Sequence, residues 1–125
     1  MADSQEALIA DDDPVTLQLI AHFLRTRGFQ VWTAGTGERL WELWRTTRSR
    51  IVLSDIEMPG VQDGILACRA IQRADPSVRI FLMTARPENR LRAAADGFQV
   101  ALVKPFSLDE LRLWADNLHC FTPQT

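Results

Sequence analysis

IVLSDIEMPG, residues 51–60, is the stretch of sequence that decides the fold of this chain. Its first three residues are apolar and two of them are β-branched, which is typical of a strand buried on both faces of a sheet. Asp55 follows, and Pro59 and Gly60 stop the regular structure soon afterwards. We therefore expect Asp55 to lie at the end of a buried strand, facing a loop. Taken alone, such an aspartate is explained equally well as a functional carboxylate or as a helix N-cap.

The remaining sequence repeats the pattern of a short apolar strand followed by a helix. Strands are predicted at 7–10, 29–32, 51–55, 78–83 and 100–103, and helices at 14–27, from 36 onward, at 64–73, at 88–96 and from 107 onward. Short apolar strands separated by helices indicate a parallel sheet covered on both faces. The sequence thus predicts an α/β fold in one domain over residues 1–125, ordered from about 6 to about 120, with a tail or the start of a linker at 121–125.

Five polar residues stand at the ends of these predicted strands. Asp11 and Asp12 follow the first strand, Asp55 the third, Thr84 the fourth and Lys104 the fifth. Ligands of open parallel sheets bind beyond the carboxyl ends of the strands, where the connections change sides. Five residues of complementary chemistry at this one edge favour a functional site over a set of helix caps.

The chemistry of these residues predicts a metal and phosphate site. Three converging carboxylates repel one another unless a cation joins them, and Mg²⁺ prefers carboxylate oxygens and water. A carboxylate can attack phosphorus to form an acyl phosphate, while an ammonium and a hydroxyl hold phosphoryl oxygens. Lys104 is the only lysine among 14 basic residues, which favours a need for a compact ammonium at that position.

In this order and at these spacings, the motifs resemble the receiver domain of two-component response regulators over essentially the whole chain. The matching motifs are Asp11-Asp12, Ser54-Asp55 with Met58-Pro59-Gly60 and Asp63-Gly64, Met83-Thr84-Ala85, and Lys104-Pro105-Phe106. The resemblance implies a flavodoxin-like, doubly wound (βα)5 fold with the parallel strand order 2-1-3-4-5. It also implies a phosphorylation-dependent switch in phosphorelay signal transduction that is not an enzyme, apart from assisting its own phosphorylation and dephosphorylation.

The resemblance assigns metal-binding roles to four residues. It implies that Asp55 is the phosphoacceptor and also a ligand of Mg²⁺ or Mn²⁺. Asp12 would bind the metal directly and Asp11 through water, while Glu57 would offer its backbone carbonyl.

The same resemblance implies that Thr84 and Lys104 contact the phosphoryl group and that the Lys104-Pro105 peptide bond is cis. Glu57 and Arg86 lie two residues beyond Asp55 and Thr84. We therefore expect them to form an ion pair over the phosphoryl group, which would obstruct water and lengthen the life of the acyl phosphate.

The expected partners also follow from the resemblance: a sensor histidine kinase or phosphotransfer protein as donor, and an unidentified effector domain or output partner, with a homodimer as an alternative. The formal net charge of -2 predicts no direct contact with nucleic acid. No apolar run approaches the roughly 20 residues of a membrane span, and the first residues carry no cationic signal region. We therefore expect a cytoplasmic domain without a membrane contact.

Three departures from the family pattern leave alternatives open. Ala101 stands where the family usually has an aromatic residue, the interval from Thr84 to Lys104 is about two residues short, and the turn after Gly97 is bulky. One alternative is a degenerate receiver that acts by protein contact alone. Another is a Mg²⁺-dependent phosphohydrolase, for which Glu57 is the only candidate second acid. Because the methyl group of Ala101 cannot turn inward as an aromatic side chain would, we expect phosphorylation to reorganise mainly residues 56–64, with little change across the fourth helix, the fifth strand and the last helix.

Overall fold

The computed structural model describes residues 5–60 and 62–120, except for the side chains of residues 119 and 120. Strands and helices alternate along this part of the chain. The elements are β1 (Glu6–Ala10), α1 (Pro14–Thr26), β2 (Gln30–Ala34), α2 (Gly37–Thr47), β3 (Ile51–Asp55), α3 (Gly64–Ala74), β4 (Arg79–Thr84), α4 (Asn89–Ala95), β5 (Gln99–Val103) and α5 (Leu108–Cys120). The predicted tail at 121–125 lies outside the described residues.

The five strands form one parallel sheet in the order β2-β1-β3-β4-β5. The predicted fold class and strand order are therefore confirmed. Two apolar clusters cover the two faces, one packing α1 and α5 against the sheet and the other packing α2, α3 and α4. Within the described residues, none of the helices has both the length and the apolar character needed to cross a bilayer.

β3 is the central strand, and every one of its five residues is buried. Leu53 packs in the cluster with α1 and α5, whereas Val52 packs in the cluster on the opposite face. The alternating side chains of one strand thus contribute to both layers, which is why β3 begins with three consecutive apolar residues. β1 and β3 are neighbours, and their connections leave towards opposite faces. The carboxyl ends of these two strands therefore border the crevice where such sheets bind ligands.

Side-chain caps fix the starts of several helices. Asp13 caps α1 by accepting a hydrogen bond from the N–H of Val15, and Pro14 is the first helical residue. At the start of α5, the Ser107 hydroxyl accepts from the N–H of Glu110, and the Glu110 carboxylate accepts from the N–H of Ser107. This reciprocal pair is a capping box.

Several element boundaries differ from the predictions. β2 begins at Gln30 instead of Phe29, because the N–H of Phe29 donates to the Leu24 carbonyl and closes the end of α1. β4 is shifted one residue, to Arg79–Thr84, and β5 begins one residue early, at Gln99. α4 is shorter than predicted, at seven residues, and the side chain of Glu88 forms no cap hydrogen bond.

The pairing of β5 with β4 contains a bulge that the sequence did not predict. Leu82 lies opposite Val100 and Met83 opposite Leu102, so Ala101 is the extra residue. As a result Ala101 and Leu102 both pack against the cluster beneath α5, instead of alternating between faces. The position where an aromatic residue was expected is therefore also irregular in its backbone.

Candidate functional site

Three aspartates meet at the carboxyl ends of β1 and β3. Asp11, Asp12 and Asp55 each offer one carboxylate oxygen, and these oxygens lie within 4.8 Å of one another. Asp11 and Asp55 are buried, whereas Asp12 is exposed. The backbone N–H of Asp11 donates to the Ala34 carbonyl at the end of β2, which fixes the turn that carries both aspartates. The predicted convergence of the three carboxylates is confirmed.

Lys104 brings a positive charge to this cluster from the end of β5. Its Nζ donates to Asp11 Oδ2 at 2.6 Å and to Asp55 Oδ2 at 3.1 Å. The backbone N–H of Lys104 donates to the Thr84 carbonyl, and the following bond to Pro105 is cis, as expected. One ammonium thus binds two carboxylates that would otherwise face each other without compensation.

The electrostatic environment raises the pKa of Asp55 to about 7. Burial is the main cause and the negative charge of Asp11 adds to it, while Lys104 acts in the opposite direction. Burial lowers the pKa of Lys104, but its hydrogen bond to Asp11 and the charge of Asp55 outweigh burial, so the net direction is upward. Asp55 Oδ1 is buried and has no hydrogen-bond partner within the described residues. That oxygen is therefore available to accept a hydrogen bond or to bind a cation.

The loop from β3 to α3 returns closely over the Asp55 peptide. A Cβ on Gly64 would lie 1.9 Å from the Asp55 carbonyl oxygen, which leaves room only for glycine. The N–H of Gly64 donates to the Ile56 carbonyl, and the N–H of Ile56 donates to the Met83 carbonyl on β4. The Ser54 hydroxyl donates to the Asp55 carbonyl. These bonds hold the reactive end of β3 in one position.

Thr84 lies at the end of β4, as predicted, but its hydroxyl is bound to Glu57. Thr84 Oγ1 donates to Glu57 Oε2 at 2.5 Å, and the N–H of Ala85 donates to Glu57 Oε1 at 3.1 Å. Asn89, the first residue of α4, also donates from Nδ2 to Glu57 Oε2. The expected ion pair of Glu57 with Arg86 is absent from the pairs formed by the described residues. Glu57 binds three other donors instead.

None of these three contacts of Glu57 was predicted, and Asn89 is the one residue of the group that the sequence analysis did not name. It begins a short helix after Pro87, and nothing in its immediate sequence distinguishes it from an ordinary helix-start residue. Its contact with Glu57 exists because β3 and β4 are adjacent, which brings the two following loops together. Only the tertiary arrangement could have identified it.

Comparison with known families identifies the chain. The family model described as "Response regulator receiver domain" matches residues 7–115. The chain belongs to this family. It is therefore a receiver domain of two-component response regulators, as its motifs predicted, and the observed topology and acidic pocket agree with that membership.

Curated relatives of this receiver domain are themselves named response regulators. It is 34% identical over 112 residues to the DNA-binding response regulator MtrA of Mycolicibacterium smegmatis, a match that covers 86% of this chain and 47% of the relative. It is 32% identical over 108 residues to the heme response regulator HssR of Staphylococcus aureus, covering 85% and 47%. The chain spans about half the length of the curated relatives it matches.

Solved structures resemble this receiver domain over nearly its full length. Chemotaxis protein CheY4 of Vibrio cholerae is 26% identical with a TM-score of 0.82, and the match covers 92% of this chain and 98% of that one. Response regulator TrrA of Thermotoga maritima, solved in complex with Mg²⁺ and beryllium fluoride, is 28% identical with a TM-score of 0.80, covering 91% and 98%.

The acidic pocket of this receiver domain is suited to a hard divalent cation. Its donor atoms are carboxylate oxygens, one aspartate is exposed to solvent, and the buried Oδ1 of Asp55 lacks a partner within the described residues. A cation bound there would relieve both the repulsion between the carboxylates and the unpaired oxygen.

Proposed function

We propose that this receiver domain accepts a phosphoryl group on Asp55 from a sensor histidine kinase or a phosphotransfer protein in the cytoplasm. The single observation that carries the proposal is the environment of the Asp55 carboxylate. One of its oxygens accepts a hydrogen bond from Lys104, and the other is unpaired beside two further aspartates. The phosphoryl group would pass from the donor's nitrogen to a carboxylate oxygen of Asp55, giving an acyl phosphate and leaving the nitrogen with the electron pair of the broken bond.

Asp12 and Asp55 are proposed as direct ligands of Mg²⁺ or Mn²⁺, with the Glu57 carbonyl as a third and Asp11 acting through water. The exposure of Asp12 and the proximity of the three carboxylates support this assignment. When bound, the ion supplies positive charge that offsets the carboxylates and the incoming phosphoryl oxygens.

Lys104 and Thr84 are proposed to bind the phosphoryl group once it is on Asp55. Lys104 already reaches Asp55, so its ammonium needs only a small displacement from Asp11 to contact a phosphoryl oxygen. Thr84 stands at the end of the neighbouring strand, paired in register with β3. Its hydroxyl would have to leave Glu57 first.

Two alternatives receive less support from the site. A phosphohydrolase would need a free acid to protonate its leaving group, yet the Glu57 carboxylate is bound to three donors. A degenerate receiver would be expected to have lost part of the acidic pocket or Lys104, and both are present. The bulge at Ala101 is the observation that keeps the degenerate receiver as a second candidate. In that case the domain would act by protein contact alone.

The output of the whole protein is a separate proposal. Because the curated relatives are about twice as long as this chain, we propose that the receiver controls an effector domain or a separate output partner. A homodimer of receivers is the alternative means of output, and no direct contact of this domain with nucleic acid is proposed.

The proposal is tested by incubating the protein with acetyl phosphate and Mg²⁺ and measuring its intact mass. The wild-type protein should gain one phosphate, and the gain should disappear with a chelator or in Asp55→Asn. Asp109→Asn is a matched control, because Asp109 is an exposed aspartate on the first turn of α5. A wild-type protein that gains no phosphate would favour the degenerate receiver, and an Asp55→Asn variant that gains as much as wild type would exclude Asp55.

A further inference from the structure

The Glu57 carboxylate joins the end of β4 to the start of α4. Glu57 lies in the loop after β3, and its three donors come from Thr84, the Ala85 backbone and the Asn89 amide. α4 has no side-chain cap from Glu88, so Glu57 is the acidic group bound to the first residue of this helix. The β3–α3 loop, the β4–α4 loop and α4 are therefore held together by one side chain.

The hydroxyl of Thr84 has a single proton and two acceptors within reach, Glu57 Oε2 at 2.5 Å and the Arg86 carbonyl at 3.1 Å, of which Glu57 is the closer. Thr84 Oγ1 also accepts the N–H of Arg86, so the hydroxyl is held in a local turn as well. The Thr84 side chain is fully buried, and a buried hydroxyl that loses its acceptor must find another. The hydroxyl cannot donate to Glu57 and to a group on Asp55 at the same time.

We propose that Glu57 is a positioning residue that holds Thr84 and α4 in the unphosphorylated arrangement, so that phosphorylation of Asp55 must draw Thr84 away from Glu57. This inference rests on the proposed function of Asp55. We call the three hydrogen bonds that Glu57 accepts from Thr84, Ala85 and Asn89 the Glu57 clamp. After phosphorylation, a phosphoryl oxygen replaces the Glu57 carboxylate as the acceptor for the Thr84 hydroxyl. Loss of the bond between Thr84 and Glu57 then weakens the remaining bonds of the clamp, to Ala85 and Asn89. The apparent affinity of the site for a phosphoryl group or its mimic is the intrinsic affinity multiplied by the fraction of molecules in which Thr84 is not bound to Glu57.

The test compares affinities for beryllofluoride in saturating Mg²⁺, measured by calorimetry on the full chain. Glu57→Ala keeps the backbone carbonyl but removes the clamp, and it should bind beryllofluoride about tenfold more tightly than wild type. Glu88→Ala is the matched control, because it removes an equal exposed charge beside α4 that forms no cap hydrogen bond; its affinity should change less than about twofold.

A double-mutant cycle with Thr84→Ala separates the clamp from simple charge repulsion. If Glu57 acts through the Thr84 hydroxyl, Glu57→Ala should change affinity less than about twofold in the Thr84→Ala background. An equal gain in both backgrounds, or no gain in the wild-type background, would overturn the proposal.

If Glu57→Ala does not fold, Asn89→Ala, which removes one donor of the clamp, should still bind beryllofluoride about threefold more tightly than wild type. Wild-type affinity in Asn89→Ala would overturn the proposal.

A second readout does not require Asp55 to be phosphorylated. In the free protein, amide hydrogen exchange at Ala85 should accelerate about tenfold in Glu57→Ala and stay unchanged in Glu88→Ala, because the Ala85 N–H donates to Glu57. Unchanged exchange in Glu57→Ala would refute the clamp. Failure of wild type to bind beryllofluoride, with this exchange result intact, would instead count against the proposed role of Asp55.

Discussion

Lys104 donates hydrogen bonds to two carboxylates that are almost completely buried. Removing one partner of a buried ion pair is costly because the remaining charge loses its compensation. In this pocket, removing Lys104 would leave the negative charges of both Asp11 and Asp55 without compensation. The lysine is therefore expected to contribute to stability whenever no metal ion is bound, in addition to its proposed contact with the phosphoryl group.

For Lys104→Met, we expect the free energy of unfolding in a chelator to fall by about 2 kcal/mol. Mg²⁺ should restore much of this loss, because a bound cation replaces the missing positive charge. Urea denaturation with and without Mg²⁺ measures both effects. Arg112→Met serves as the control, since it breaks the exposed pair with Asp109 and should change stability by less than about 1 kcal/mol. A Lys104→Met variant as stable as wild type in chelator would contradict this account.

Among individual residues, the sequence predicted those that end strands and missed the contacts that depend on loop geometry. Asp11, Asp55 and Lys104 could be found because parallel strands bring their carboxyl ends to one edge. The partners of Glu57 could not be found in this way. Sequence spacing suggested Arg86, whereas the fold presents Thr84, Ala85 and Asn89 to the carboxylate.

Among the elements, the β3–α3 loop is the one whose path the site depends on most closely. Gly64 begins α3 directly against the peptide of Asp55, and Asp63 caps the helix by accepting from the N–H of Leu66. Cap and glycine together let the helix start beneath the strand end. A side chain at Gly64 would force this start away from β3 and displace Asp55 with it.

Gly64→Ala should lower the free energy of unfolding by about 2 to 3 kcal/mol, because its Cβ would meet backbone atoms that cannot move independently. Gly35→Ala is the matched control. A Cβ there has open space, and the change should lie within about 1 kcal/mol of wild type. Chemical denaturation measures the free energy of unfolding of the two variants. Equal stability of Gly64→Ala and Gly35→Ala would show that the loop accommodates a side chain.

The β5 strand illustrates what sequence patterns leave undetermined at the scale of elements. Its apolar residues predicted a strand correctly, but no glycine or proline marks the bulge at Ala101. The bulge depends on how β5 meets β4 and α5, which is a property of packing between elements. The same limit applies to α4, whose seven residues carry only one buried side chain, Ala93.

Across the whole molecule, the site is joined more closely to the helices on the α3 and α4 face of the sheet than to those on the α1 and α5 face. Arg92 of α4 pairs with Asp63 in the loop before α3, and Asp96, the residue directly after α4, pairs with Arg69 of α3. On the opposite face, Ala101 offers no side chain that could follow a movement of Thr84. The structure thus extends the expected response from residues 56–64 to the start of α4, through Glu57 and Asn89.

We therefore expect beryllofluoride with Mg²⁺ to change hydrogen exchange mainly in residues 56–64 and 84–90, relative to Mg²⁺ alone. Residues 99–118 should change little, because a ligand shifts a conformation only through a difference in affinity between two states. Exchange measured by mass spectrometry on the same sample resolves these segments. Changes across 99–118 as large as those across 56–64 would show that β5 and α5 respond without an aromatic residue at position 101.

The measurement that tests the central claim most directly is the location of the phosphate on the chain. Acyl phosphates react with borohydride, which converts a phosphorylated aspartate into homoserine, and peptide mass spectrometry then identifies the residue. After incubation with acetyl phosphate and Mg²⁺, we predict homoserine at position 55 and at neither Asp11 nor Asp12. Homoserine at Asp11 or Asp12, or phosphate on another residue with Asp55 unmodified, would contradict the account.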